Sequence, residues 1–153
     1  MGIEAEGATE NSPTRTSRKE SFYQLADEND ERTELVFHSE DVNAGLLYLD
    51  KSLEHGYPVL LGVNHTLKYR RHGVINEDTT DHYIVAVGRK CVNGQVHYIF
   101  WDVGTRYGAK KEWLLELKSD SSLVSVSNYR ADGKAYTVTQ IRRNKKKGEY
   151  IKF

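Results

Sequence analysis

Hydrophobic and polar positions follow two different rhythms along this chain. Between Ser39 and Gly56, Val42, Leu46, Leu49 and Leu53 recur at intervals of four, three and four, which is the stripe of an amphipathic helix. Ser39 is a suitable N-cap, Glu40 and Asp41 suit the positive end of the helix dipole, and Gly56 with Pro58 beyond it supplies a stop. Leu47 and Tyr48 widen the apolar face. From Pro58 the rhythm changes. Pro58-Val59-Leu60-Leu61-Gly62-Val63 is a short, continuous apolar run that predicts a buried strand. His82-Tyr83-Ile84-Val85-Ala86-Val87-Gly88 and Val96-His97-Tyr98-Ile99-Phe100-Trp101-Asp102 predict a hairpin through Val92-Asn93-Gly94, because Asn-Gly between two such runs is a strong turn signal.

Shorter signals complete the pattern. Residues 113–117 and 135–141 predict further strands, with Asp132-Gly133 as the turn before the last, and residues 33–37 a short one. Ser21 is placed to cap a short helix through Phe22, Tyr23, Leu25 and Ala26. Residues 64–81 are polar and rich in His, Arg and Asn, a long loop of the kind that usually carries function. Residues 1–20 hold almost no large apolar side chain and are expected to be disordered. The domain is therefore expected over 21–153. A helix followed by antiparallel strands predicts an α+β fold, a helix packed on a twisted antiparallel sheet.

Composition narrows the function classes. The chain has 153 residues, enough for one domain with a real core. Its apolar runs are too short to span a bilayer, so no membrane partner is expected. No basic-then-apolar leader opens the sequence, which leaves the compartment open. A single cysteine excludes internal disulfides and multi-cysteine zinc modules. The balance of 22 Lys+Arg and 22 Asp+Glu conceals an asymmetry: residues 1–60 hold 5 basic against 13 acidic side chains, net −8, and residues 61–153 are net +8. Opposite halves suit either one domain that packs them together or two binding surfaces.

His82 opens one hairpin strand and Asp102 ends the other, so both belong to the same end of the sheet. Whether they meet depends on register. A two-residue Asn93-Gly94 loop puts them on opposite faces. A three-residue loop with Gly94 left-handed makes Asp102 face Ile84 and share a face with His82 as its diagonal neighbour. In the second case the carboxylate would fix the imidazole's tautomer and leave the other ring nitrogen as a base, two thirds of a nucleophile–His–Asp triad.

Three segments together resemble the bacterial papain-like, C39-like cysteine peptidases: Gly56-Tyr57-Pro58-Val59-Leu60-Leu61-Gly62-Val63-Asn64, Thr80-Asp81-His82-Tyr83-Ile84-Val85-Ala86-Val87-Gly88, and Tyr98-Ile99-Phe100-Trp101-Asp102-Val103-Gly104-Thr105. The likeness covers residues 40–105. It implies a papain-like half-domain, His82 as general base, Asp102 as its orienting partner, and amide hydrolysis in a peptide or in peptidoglycan. It also asks for a nucleophilic Cys at the start of a helix before the His, where the dipole favours the thiolate. The only cysteine is Cys91, which follows His82 and, nine residues along a strand, stands roughly 30 Å away. The resemblance thus implies a domain truncated or degenerate on its N-terminal side. Its nucleophile helix would be lost or carried by a separate segment, and the chain would be inactive alone. The alternative is a non-catalytic binding module of the same fold.

Other groups weigh less. His65, His72, Asp81 and His82 cluster without any common zinc spacing, so neither a metal nor a cofactor is expected. Asn64-His65-Thr66 fits a glycosylation triplet that often arises by chance. The run Arg142-Arg143-Asn144-Lys145-Lys146-Lys147 reads as a solvated tail, and Lys68-Tyr69-Arg70-Arg71-His72 as a basic spot by the candidate cleft. The tyrosines are scattered rather than spaced for stacking, which argues against nucleic acid.

Overall fold

The computed structural model describes residues 4–5, 21–65, 79–102, 108–126 and 135–153. Its architecture corrects the expected class: the described residues are mostly β, with one long helix and a closed six-stranded antiparallel barrel, and not a helix packed on a twisted sheet of a papain-like half-domain. In chain order the elements are β1 (Glu4–Ala5), β2 (Phe22–Gln24), β3 (Ala26–Glu28), β4 (Leu35–Phe37), α1 (Ser39–Glu54), β5 (Val59–Asn64), β6 (His82–Val92), β7 (Gln95–Asp102), β8 (Gly108–Leu117), β9 (Leu123–Ser125), β10 (Thr137–Arg142), β11 (Asn144–Lys146) and β12 (Glu149–Tyr150). The barrel runs β10-β5-β6-β7-β8-β9, and β9 returns to β10 through Thr137 opposite Val124. That one pairing closes the sheet. It was not foreseeable from periodicity, because a strand of three residues is too short to show alternation. The remainder of that edge of β10, from Gln140 to Arg142, pairs with β2.

β2 and β3 replace the short helix expected after Ser21. The reason is tertiary: Tyr23 and Gln24 find ladder partners on Ile141 and Gln140, which outweighs a weak local helix preference. The long helix forms as expected, one position out of phase with its cap. Ser39 is its first residue and His38 the N-cap, without a side-chain capping bond. Gly56, at φ +76°, ends it in the left-handed conformation that glycine tolerates. Val42, Tyr48 and Leu49 are buried, whereas Leu47 is 62% exposed and does not join the core face. α1 lies against β2, β5, β6 and β10.

Alternation along the strands builds the core. Val59, Leu61 and Val63 of β5, Ile84 and Ala86 of β6, and Tyr98 and Phe100 of β7 are all buried and belong to one cluster. Tyr98 also ties the barrel to the helix: its hydroxyl donates to Asp50 Oδ1 at 2.7 Å. Burial first, and then the Asp50 carboxylate, push the Tyr98 phenol well above its ordinary pKa. The basic run from Arg142 to Lys147 is a solvated tail only at Lys146 and Lys147; its first half packs into the fold. Arg142 is buried, donates to the Tyr83 hydroxyl at 2.9 Å and covers the Phe22 ring, while Asn144 is buried and donates to the Pro58 carbonyl. The expected disorder of residues 1–20 concerns positions that, Glu4 and Ala5 apart, lie outside the described residues, as does the Asp132-Gly133 turn. No described helix is long and apolar enough to cross a membrane.

Candidate functional site

The hairpin combines both registers that the sequence left open. At the turn, Asn93 (φ 51°) and Gly94 (φ 77°) form a two-residue loop, so Val92 faces Gln95 and Lys90 faces His97. Between Ala86 and Gly88 the register shifts by one, and beyond it Ala86 faces Phe100 and Val85 faces Trp101. Val87 is the unpaired residue of a β-bulge. One extra residue inverts the side-chain parity of everything beyond it. The buried row of β7 therefore runs Tyr98, Phe100, Asp102, and the matching row of β6 runs back through Ala86 and Ile84 to His82.

The two side chains meet. His82 Nε2 lies 2.8 Å from Asp102 Oδ1. A carboxylate only accepts, so in the neutral imidazole Nε2 carries the proton and Nδ1 the lone pair. Asp102 is fully buried, whereas the His82 side chain keeps 26% of its surface exposed. Tyr136, also fully buried, donates its hydroxyl to Asp102 Oδ2 at 2.8 Å. Both carboxylate oxygens are thereby engaged, and the acid is held against rotation. Among the described residues nothing bonds His82 Nδ1, so the basic nitrogen is left for a reacting group.

A second pair stands beside the first. His65 Nδ1 is 2.6 Å from Asp81 Oδ1, and the His65 amide donates to the same carboxylate. Asp81 is anchored in turn by its own amide, which donates to the Val63 carbonyl at 2.9 Å. The His65 and His82 rings are 6.0 Å apart, and Tyr136 contacts both, at 5.4 and 5.3 Å. Of the four residues first considered as a metal cluster, the structure brings His65, Asp81 and His82 together, and His72 lies outside the described residues. No described group of three or more His, Cys, Asp or Glu side chains is arranged to hold a metal ion. The basic spot from Lys68 to His72 also lies outside the described residues.

No known protein family, curated protein or solved structure matches this chain. The site must be judged on its own geometry.

Sequence reasoning did not assign Tyr136 or the His65–Asp81 pairing. Tyr136 carried a usable signal, since it shares the buried parity of Val138 at the start of the last barrel strand. Cys91 sits at the other end of the hairpin from His82, opposite Val96 and exposed. No cysteine of this chain reaches the dyad.

Proposed function

We propose that His82 and Asp102 form the acid–base half of an amide-hydrolysing site acting on a peptide or on peptidoglycan. Its thiol nucleophile would come from a segment other than the described residues. The observation that carries this reading is the 2.8 Å bond from a partly exposed imidazole to a fully buried carboxylate, itself held by Tyr136. In this scheme His82 Nδ1 accepts the thiol proton as sulfur attacks the carbonyl carbon, then returns it to the leaving amine. Asp102 keeps the ring in the productive tautomer and stabilises the imidazolium between the two transfers. The likeness to C39-like peptidases in residues 40–105 supports the same roles, and the closed barrel means that support rests on local wording and not on a shared half-domain fold.

The test is hydrolysis of peptide and peptidoglycan-fragment substrates by the chain alone and by the chain joined to the polypeptide encoded immediately upstream. Hydrolysis that His82→Ala abolishes, and that Asp102→Asn lowers by on the order of 10²–10⁴, is the expected result. No hydrolysis in either form overturns it. A second reading, a non-catalytic binding module, is favoured by the position of Cys91, the sole cysteine, exposed at the far end of the hairpin. Substrate binding without turnover, weakened by His82→Ala, distinguishes that case.

A further inference from the structure

Two surfaces outside the dyad have complementary character. The first is a cleft of about 370 Å³ beside α1, with Tyr48 in its wall and Leu47 and Phe153 at its rim. Leu47 is 62% exposed and Phe153 49% exposed, an unusual concentration of apolar surface at one cleft. Lys51, Arg143 and Lys152 also line it, and no acidic residue does. Among the described residues no carboxylate pairs with Lys51 or Lys152. The cleft faces the Pro58 end of β5, since Asn144 bonds both the Tyr48 hydroxyl and the Pro58 carbonyl. The dyad is at the Asn64 end, about 20 Å away at 3.3 Å per residue. The two sites share no residue.

The second surface is the β3–β4 ribbon. Among the described residues it is a two-stranded sheet separate from the barrel sheet. Val36 is 49% exposed and Phe37 36% exposed on it. Its turn carries Asp30, Glu31 and Glu34, none of which pairs with a described cation. The turn is preorganised: Asn29 Oδ1 accepts from the Thr33 amide at 2.8 Å and from the Glu34 amide at 3.2 Å, and Arg32 takes the left-handed conformation at φ 56°. The ribbon is also tied down along β3. The Leu25 amide donates to the Thr139 carbonyl and the Glu28 amide to Thr79 Oγ1. Leu47 lies nine residues beyond His38, about 13 Å along the helix at 1.5 Å per residue. Within one molecule these bonds hold the ribbon beside Thr79 and Thr139, at the Asn64 end of β5 and away from the cleft.

We propose that the occupant of the cleft is the acidic β3–β4 ribbon of a second copy of this chain. Asp30, Glu31 and Glu34 of one copy meet Lys51, Arg143 and Lys152 of the next, while Val36, on the same strand face as Glu34, covers Leu47 and Phe153. Because the two surfaces differ, the contact either closes reciprocally in a two-fold dimer or runs head-to-tail into a ring or a filament. A nucleic acid is the less suitable occupant. The Tyr23, Tyr48 and Tyr150 rings are already covered by the Arg143 guanidinium, and Tyr48 and Phe153 pack on each other at 5.4 Å, so no free ring remains as a stacking platform.

Sedimentation velocity from low micromolar to near-millimolar protein tests the proposal. At low salt the weight-average mass should rise well above the 17.5 kDa of one chain, and it should return toward that value at high salt. Lys51→Glu with Lys152→Glu should remain monomeric, as should Asp30→Lys with Glu31→Lys. All four positions are exposed, so the fold is expected to survive, and far-ultraviolet circular dichroism checks it. An equimolar mixture of the two charge-reversed chains should associate again. The proposal is overturned by a wild-type chain that stays monomeric throughout, by reversed chains that associate as the wild type does, or by a mixture that fails to recombine.

Discussion

Tyr136→Phe isolates a single hydroxyl at the centre of the candidate site. The aromatic ring would stay, and with it the packing against His65, His82 and Phe100 at 5.4, 5.3 and 6.3 Å. The 2.8 Å bond to Asp102 Oδ2 would be lost. Hydrogen bonds to charged groups contribute about 1.5–3 kcal/mol, and both partners here are fully buried, so a loss of about 2 kcal/mol is expected. With a urea slope of about 2 kcal/mol/M, the midpoint falls by about 1 M. Asp102→Asn supplies the control. There the acceptor is neutral, and the same Tyr136→Phe change should cost only about 1 kcal/mol. The difference is the coupling between hydroxyl and charge. Equilibrium urea unfolding of the four proteins measures it. A Tyr136→Phe cost below about 0.5 kcal/mol, or an equal cost in both backgrounds, would refute the idea that Tyr136 holds a charged Asp102.

Three further outcomes follow from other contacts. The raised Tyr98 pKa means that its stabilisation is complete below about pH 10, the unfolded value, and declines as pH rises above that. Tyr98→Phe should therefore reduce the alkaline loss of stability by up to about 1.4 kcal/mol per pH unit, and identical slopes in the two proteins would exclude it. Gly45→Ala should destabilise although alanine is the better helix former by about 1 kcal/mol. A Cβ there would stand 2.9 Å from Leu25 Cδ2 and 3.1 Å from Ile141 Cδ1, so a lower melting temperature is expected and a higher one would contradict the packing. Cys91, being exposed, should react with a disulfide reagent in the folded protein as fast as in urea; protection in the native state would contradict its placement.

The legible parts of the fold were those with enough residues to display a period. The α1 stripe and the β6–β7 hairpin were placed from Val42, Leu46, Leu49 and Leu53 and from the Asn93-Gly94 turn. Closure of the barrel was not legible, because it depends on three residues of β9 and one pairing at Thr137. The contact between His82 and Asp102 was open for a different reason. Both register rules were sound, and each applies to one part of the hairpin, but nothing in Val85-Ala86-Val87-Gly88 announces a bulge. Tyr136 and Asp81 were hidden by distance along the chain: Tyr136 is 34 positions from its partner Asp102, and Asp81 is 16 from His65.

The bulge at Val87 has a practical consequence. It divides the hairpin into two ladders of opposite phase, with the dyad in one and the Asn93-Gly94 turn in the other. An insertion or a grafted epitope at the turn would be absorbed on the solvent side of that boundary and leave the His82–Asp102 geometry untouched. Removing one residue at the boundary would bring the two ladders into phase. Residues 82–86 would keep their partners, with Ala86 still opposite Phe100 and Gly88 opposite Ile99, so removing Val87 would straighten the strand and leave His82 beside its carboxylate. A protein engineer thus has a strand that tolerates long additions at its turn and the loss of the bulge residue in its middle, with the dyad kept in both cases.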